Sequence, residues 1–181
     1  MESENIAHIP ISDIENHAPD GENISRVEAI EHLITKREAT PDDRDFAFAT
    51  HYSAYKDVMT RQVPTANYDK LQAYYFAKIW VPERFKVILD NESPCGLLWV
   101  EDMSDCIFIH ELVVTPESQG LGIGTKIINE TIQESQIRNV PIKLDVLKEN
   151  KARGLYERIG FVITGESDIH FHMQYTPDSK E

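Results

Sequence analysis

The sequence predicts an α/β (α+β) fold, a central sheet of about six to seven strands flanked by about four helices, and three observations point to it. Short apolar runs of strand length, such as CGLLWV and CIFI, are spaced among segments whose apolar residues recur at helical intervals. Strands and helices alternate through the second half of the chain, the order that builds a sheet with helices packed on it. Between an apolar run and the start of a helix, Thr115 to Ile127 (TPESQGLGIGTKI) carries three alternate glycines, Gly120, Gly122 and Gly124. With 181 residues, 41% of them hydrophobic, the chain can bury one sizeable core, and one domain is expected.

Residues 1–30 are polar and acidic and are interrupted by the breaker cluster NHAPDGEN, so they are expected to form an extension outside the core. The domain is expected over residues 31–177, with 178–181 as a tail. A short strand near His32 to Glu38 opens it. Thr40 to Asp43, TPDD, then offers an N-cap to a helix running through FAFATHYSAYKDVMTR. A second helix, from about Tyr68 to Ile79, carries Tyr74, Tyr75 and Phe76 and ends near Trp80, just ahead of Pro82. Three strands follow, FKVILD, CGLLWVED and CIFIHELVV, the first two separated by NESP and the last two by the turn MSD. Ile123, Ile127, Ile128 and Ile132 share one helix face, and Pro141 closes that helix. IKLDVL reads as a strand, NKARGLYERIG as a short helix stopped by Gly160, and FVITGES and HFHMQYT as a closing pair of strands.

Composition excludes several classes of function. Eighteen Lys and Arg against 31 Asp and Glu give a net charge of −13. Nucleic acid is a poor partner for such a surface, since a phosphate backbone is held by clustered basic residues, whereas a cationic acceptor is favoured. No apolar run is long enough to span a bilayer and MESENIAHIPISD lacks the pattern of a leader peptide, so a cytoplasmic protein without a membrane partner is expected. Cys95 and Cys106 have neither CxxC nor metal-ligand spacing and read as reduced core thiols.

The glycine loop is placed for anion binding, because the first N–H groups of a helix are free, its dipole is positive there, and glycines let a phosphate approach the backbone. Two common phosphate loops do not fit. The G-x-G-x-x-G fingerprint needs glycine where Thr125 stands, and the P-loop needs Gly-Lys-Ser/Thr where the chain has Gly124-Thr125-Lys126. A glycine-rich turn without a ligand stays open on the local sequence alone.

Gln119-Gly120-Leu121-Gly122-Ile123-Gly124 resembles the Q/R-x-x-G-x-G/A acyl-CoA loop of the GNAT superfamily of N-acetyltransferases. Downstream, VLKENKARGLYERIGF is similar to that family's next motif, an Asn, a Leu-Tyr-Glu on a short helix, and Gly-Phe opening a strand. Asn150 stands six residues before Tyr156, where the family more often has seven. The similarity runs from about Leu33 to Thr176. The resemblance implies a GNAT fold with a mixed, twisted central sheet, acetyl-CoA or another acyl-CoA as cosubstrate, and no metal. It places the pyrophosphate on backbone N–H groups of Gln119, Gly120, Leu121, Gly122, Ile123 and Gly124, with Thr125 and Asn150 beside it. The pantetheine arm would lie between CIFIHELVV and IKLDVL and bond the backbone of Leu112 and Val114, and an N–H near Val113 or Val114 would serve the oxyanion. Lys126, Lys148, Lys151 and Arg153 either add local positive charge or are solvated surface residues.

Amide formation needs a free amine, and a lysine-like amine with pKa about 10.4 is protonated at neutral pH. A base is therefore required, and Glu111 and His110 are the polar breaks in an otherwise apolar strand. Strand alternation predicts that they point to opposite faces. Glu111 is the favoured base, His110 the reserve, and by the resemblance Tyr156 protonates the leaving thiolate. The acceptor, a small-molecule or peptide amine, is expected against the first two helices and the closing strands, where Tyr52, Tyr55, Tyr74, Tyr75 and Trp80 either box its cation or pack the core. His170 and His172 share a strand face without a third ligand and read as sheet-surface residues. A homodimer is compatible with the resemblance. The alternative function is a GNAT-fold module that binds acyl-CoA as a sensor without turnover.

Overall fold

The computed structural model describes residues 32–64 and 67–178. The extension expected over residues 1–30, and residues 179–181 of the expected tail, lie outside them. Seven strands form one mixed sheet in the order β1-β2-β3-β4-β5-β7-β6. They are β1 (Ile34–Glu38), β2 (Lys86–Asp90), β3 (Ser93–Asp102), β4 (Ile107–Val114), β5 (Ile142–Leu147), β6 (Val162–Glu166) and β7 (His170–Tyr175). Four helices accompany them, α1 (Arg44–Gln62), α2 (Tyr68–Ile79), α3 (Ile123–Arg138) and α4 (Ala152–Ile159).

Each helix begins and ends for local reasons. Thr40 and Asp43 form a capping box over a single 3-10 turn at Pro41–Asp43 that leads into α1. Asn67 caps α2 through its side chain on the Lys70 N–H, and Trp80 ends it two residues before Pro82. α3 starts at Ile123, because Gly122 takes the left-handed conformation at its N-cap. Asn139, at φ 51°, ends α3 by the same device at the other terminus, ahead of Pro141.

The sheet is covered on both faces. α1 and α2 lie on one, where Ala47 and Phe76 pack with Phe85, Val87, Leu97 and Val113. On the other face, Ile123 and Ile127 of α3 meet Ile88 and Leu98. Ile128 and Ile132 extend that contact to Ile107, Ile109, Ile142 and Leu144, joined by Tyr156 of α4 and by Met173. Full burial of an Ile, Leu or Phe side chain is worth about 1.5–3 kcal/mol, so these three clusters hold the layers together. Cys95 and Cys106 are free, buried thiols whose ionisation burial disfavours.

Two local features differ from the sequence expectations. The separator between β2 and β3 is two residues rather than NESP: Asn91 and Glu92 turn with positive φ (46° and 69°), and Ser93 already pairs with Asp90. Pro94 is accommodated beside the β3 irregularity, opposite Leu89 and past the point where β4 ends its pairing at Gly96. The second feature is a bulge in β4. Trp99 faces Glu111 and Val100 faces Ile109, which leaves His110 without an opposite residue and breaks the alternation of side chains.

Candidate active site

β4 and β5 run parallel but pair over only three positions, Ile107 with Ile142, Phe108 with Lys143 and Ile109 with Leu144. Beyond them β5 pairs only with β7, and β4 continues without β5 to Val114, so a gap opens between neighbouring strands. Period-two alternation decides which backbone groups of β4 face that gap. The Thr115 N–H donates to the Cys95 carbonyl (2.8 Å), and the Val113 carbonyl lies so close to β3 that a Cβ on Gly96 would meet it at 2.5 Å. Positions 113 and 115 are thus committed to β3, and the polar groups of Leu112 and Val114 turn to the gap. Val113, one of the expected oxyanion donors, is therefore spent on the sheet. The Val114 carbonyl accepts from Gln119 Nε2 (3.1 Å), which ties the glycine loop to the mouth of the gap.

The loop itself is exposed and held in one shape by its backbone. Pro116–Ser118 form a 3-10 turn, and Gly120 and Gly122 both sit at φ 79°. A Cβ added at either would meet nothing within 4 Å, so these glycines are required by backbone conformation and not by crowding from the protein. The open space lies above the N-terminus of α3, whose first N–H groups have no intrahelical acceptor. Ile123 turns its side chain into the core, while Leu121 is 46% exposed. Gly124 is held by neither constraint, since its φ is not positive and an added Cβ would meet Leu155 of α4 at 3.7 Å, an ordinary contact. Thr125 lies in the first turn of α3. Asn150 is engaged in starting α4, its Oδ1 accepting from the Ala152 N–H (2.9 Å).

Among the four basic residues, Lys126 is exposed, Lys148 pairs with Glu166 (3.2 Å) and Arg153 with Glu157 (3.4 Å). A shallow depression of about 350 Å³ is lined by Lys148, Glu149, Asn150, Lys151, Arg153 and Gly154 at the start of α4.

Glu111 stands on the α1/α2 side of the sheet and is 5% exposed. Its Oε1 accepts from Tyr55 Oη (2.6 Å), and its Oε2 lies 3.4 Å from His51 Nε2. That contact is within ion-pair range but lacks hydrogen-bond geometry, and Nε2, on a ring 2% exposed, has no other partner. Burial raises Tyr55 well above the ordinary phenol value, and the Glu111 charge and hydrogen bond add to it. Tyr75 is raised by burial and then by Glu111. Tyr156 belongs to the cluster on the opposite side of the sheet, yet burial, followed by the charge of Glu111, pushes it up to about 12. Its phenol is therefore a proton donor throughout the neutral range.

His110 does not point away from Glu111. The bulge keeps it on the same side, where its ring stacks on Trp99 (centroids 4.2 Å apart), which in turn packs on Phe85. Its Nε2 is held by Glu101 Oε2 at 2.7 Å, so it pairs with a neighbouring carboxylate and leaves Glu111 to its own pocket. Of the five aromatics expected around an acceptor, Tyr55 bonds Glu111, and Tyr75 lies near the His51 ring (centroids 5.8 Å apart). Tyr52 is used between α1 and α2, donating to Asp69 (2.7 Å). Tyr74 carries Lys78 over its ring (4.2 Å), and Trp80 stacks on Phe76. His172 pairs with Asp145 (2.5 Å) across the β5–β7 ladder, beside His170.

Sequence reasoning does not find His51 and Gln72. Both carry a signal: His51 falls in phase with Ala47, Tyr55 and Val58 on one face of α1, and Gln72 precedes Phe76 by one turn on α2. A polar residue set into an apolar stripe is buried, and it then needs a partner.

Residues 80–163 match the Acetyltransferase (GNAT) domain, a span that holds β2 to β5, the glycine loop and α4. An uncharacterized N-acetyltransferase of Methanocaldococcus jannaschii is 31% identical over 147 residues, covering 70% of this chain and 60% of the relative. The 5-NmdU N-acetyltransferase of Pseudomonas phage PaMx11 is 40% identical over 55 residues, 30% of this chain and 38% of the relative. The chain thus spans about 60% or less of the length of these curated relatives. The PaiA N-acetyltransferase of Thermoplasma acidophilum, solved in complex with coenzyme A, superposes with a TM-score of 0.68 at 13% identity, over 79% of this chain and 98% of that one. The chain belongs to the GNAT superfamily, and its mixed seven-stranded sheet with four helices is the GNAT fold. Among the described residues no helix is long and apolar enough to cross a membrane, and no group of three or more His, Cys, Asp or Glu is arranged to hold a metal.

Proposed function

We propose that this protein transfers an acetyl group from acetyl-CoA to a primary amine of a small molecule or peptide, by direct attack within a ternary complex. The observation that carries the proposal is the gap between β4 and β5, with free backbone donors at one mouth and a buried carboxylate on the far side.

The donor set fits the cosubstrate. Backbone N–H groups from Gly120 to Thr125, at the positive end of α3, supply a diphosphate site that needs no net positive charge, because oriented amides act locally and are screened little. The Gln119 N–H is already given to the Pro116 carbonyl. This reconciles an anionic cosubstrate with a chain of net charge −13. Leu112 and Val114 offer the edge of β4 to an extended amide-bearing arm, and acetyl-CoA supplies the activated acetyl thioester.

On the far side, Glu111 takes a proton from the bound ammonium, directly or through one water, and so makes the nitrogen nucleophilic. A backbone N–H of β4 facing the gap, at Leu112 or Val114, donates to the oxygen that gains charge as the nitrogen attacks. Tyr156, protonated at neutral pH, gives its hydroxyl proton to the departing sulfur. After attack the nitrogen still carries a second proton to lose. That proton passes through water to the Tyr156 oxygen as the carbon–sulfur bond breaks, so the products are the amide and free CoA thiol, with the phenol restored and one proton left on Glu111 for release to solvent. No covalent enzyme intermediate enters, so the buried Cys95 and Cys106 stay outside the chemistry.

The test is release of free CoA thiol from acetyl-CoA against a panel of polyamines, aminoglycosides, amino acids and lysine peptides. Turnover with at least one class is expected. Silence across the panel with intact acetyl-CoA binding would replace this reading with the sensor.

A further inference from the structure

Among the buried polar residues that the proposed mechanism does not use, two are paired with each other beside Glu111. His51 on α1 and Gln72 on α2 are 2% and 4% exposed, and they hydrogen-bond to each other through His51 Nδ1 and Gln72 Nε2. A buried polar pair of this kind is costly unless its remaining polar atoms are used. The remaining atom is His51 Nε2, which has no hydrogen-bond partner and stands 3.4 Å from Glu111 Oε2.

We propose that Gln72 and His51 form a positioning relay for Glu111, in which Gln72 fixes the imidazole tautomer so that His51 presents Nε2–H to the second carboxylate oxygen. This inference rests on the reading of Glu111 as the base. The tautomer follows from the partners. A bare Nε2 would set its lone pair against the carboxylate, so the proton belongs on Nε2. In the neutral ring Nδ1 is then an acceptor, which requires the amide N–H of Gln72 and not its oxygen. Tyr55 already donates to Oε1, so His51 completes one donor for each oxygen and fixes the plane of the carboxylate.

The other titratable groups near this pair are Tyr75 of α2, whose ring lies 5.8 Å from that of His51, and Tyr156 of α4, which packs on the other side of the sheet but feels the Glu111 charge. His110, paired with Glu101, lies on the same side of the sheet. None of these is hydrogen-bonded to Oε2 in the structure, and the tyrosines are neutral in the working range. His51 is the neighbour that can stabilise the ionised form there. The long Nε2 to Oε2 contact is of the kind that shortens when an acceptor binds and the carboxylate is drawn into its working orientation.

The experiment uses the full chain and reads Glu111 and His51 directly. Carboxyl carbon NMR follows the Glu111 titration, and imidazole nitrogen NMR reports which His51 nitrogen holds the proton. Thiol release across pH gives the acid limb of kcat. Three variants are compared, His51→Leu, His51→Gln and Gln72→Leu, each checked for folding by circular dichroism. In the parent the proton is expected on Nε2. His51→Leu removes a donor to the ionised form, so the Glu111 midpoint and the acid limb should both move up by about one pH unit, with kcat down roughly tenfold. Acetyl-CoA affinity should not change. His51→Gln keeps a donor at nearly the same reach and should restore most of both. Gln72→Leu should populate the Nδ1–H tautomer and shift Glu111 in the same direction as His51→Leu.

A parent ring protonated on Nδ1, or a His51→Leu variant whose Glu111 titrates as the parent's does, would overturn the relay. If His51→Leu does not fold, the parent tautomer and Gln72→Leu decide between relay and none. A parent without transfer to any amine would sink the proposed function instead, and the two NMR measurements would still support or overturn the relay.

Discussion

The two mouths of the β4–β5 gap are built by opposite means. The glycine loop is exposed from Gln119 to Gly122 and draws its properties from backbone conformation within one short segment, Pro116 to Gly124. The Glu111 carboxylate is buried and is held by side chains from separate elements of the chain, His51 and Tyr55 of α1 against Glu111 of β4, with Gln72 of α2 behind His51. Peptide amides cannot titrate, so the loop attracts an anion at any pH. The pocket works only through groups whose charge changes. One site can be encoded locally and the other cannot.

The sharpest way to test this division is to remove charge from the pocket alone. Glu111→Gln keeps the shape and the Tyr55 contact but cannot accept a proton, and a positioned general base is worth roughly 10²–10⁴ in rate. We expect kcat at neutral pH to fall by that order, with acetyl-CoA affinity unchanged. Recovery should begin as the pH approaches the amine's own pKa, about 10.4. A deficit of the same size at every pH would show that Glu111 is structural.

The converse variant damages the loop alone. Gly122→Val puts a branched side chain where Gly122 has φ 79°, and its first carbon meets no protein atom within 4 Å. The fold should persist, at a strain cost of roughly 1–2 kcal/mol. The new side chain would occupy the space a diphosphate needs and displace charge-assisted bonds worth about 1.5–3 kcal/mol each. Acetyl-CoA affinity, measured by calorimetry, should fall about a hundredfold or more, since two such bonds account for that factor. Unchanged affinity would remove the loop from the binding site.

The same division explains what can be read from the sequence. The loop is legible because three alternate glycines before a helix constrain the backbone within a few residues, and the structure has positive φ at two of them. The strands and helices are legible to within a few residues because their apolar periods are strong. The departures share a cause. The β2–β3 turn reads too long because Pro94 looks like a breaker, whereas its position past the end of the β4 ladder lets it sit in a strand. His110 and Glu111 read as opposite in facing because a regular strand alternates, and the bulge is set by pairing with Trp99 on another strand. His51 and Gln72 escape notice because each is ordinary in its own helix and becomes a feature only when α1 and α2 close over β4.

A third measurement separates the regions by pH. Tyr156 has its pKa raised from 10.0 to about 12, chiefly by burial, so the folded state holds this proton more tightly than the unfolded chain. The resulting stability is present in full below pH about 10 and is lost as the pH rises toward 12, on the order of 2–3 kcal/mol for a two-unit shift. Tyr55 is raised for the same reason and adds to the loss in the same direction. Denaturant titrations above pH 10 should therefore show falling stability, with tyrosinate absorbance appearing as the protein unfolds. Tyr156→Phe should flatten part of this slope, whereas Gly122→Val, which lowers stability at all pH values alike, should leave it unaltered.

The smallest effect is expected where the two regions meet. Tyr156 packs with the α3 side of the sheet, yet the charge of Glu111, on the other side, helps to raise its pKa. Its proposed role is a proton for the departing sulfur. A thiolate with pKa near 8.5 leaves with modest help, so the loss of that donor costs far less than the loss of the base. Tyr156→Phe keeps the ring that packs on Phe161 (centroids 5.6 Å apart) and removes only the hydroxyl. We expect kcat to fall about tenfold and acetyl-CoA affinity to hold, a split that marks an interaction made in the transition state and not in the bound complex. A better leaving thiol should narrow the deficit, because an acyl donor whose thiolate needs no proton has no use for Tyr156. If parent and variant differ equally with both donors, the hydroxyl serves Glu111 or the acceptor, and the boundary between the two regions would have to be drawn through α4.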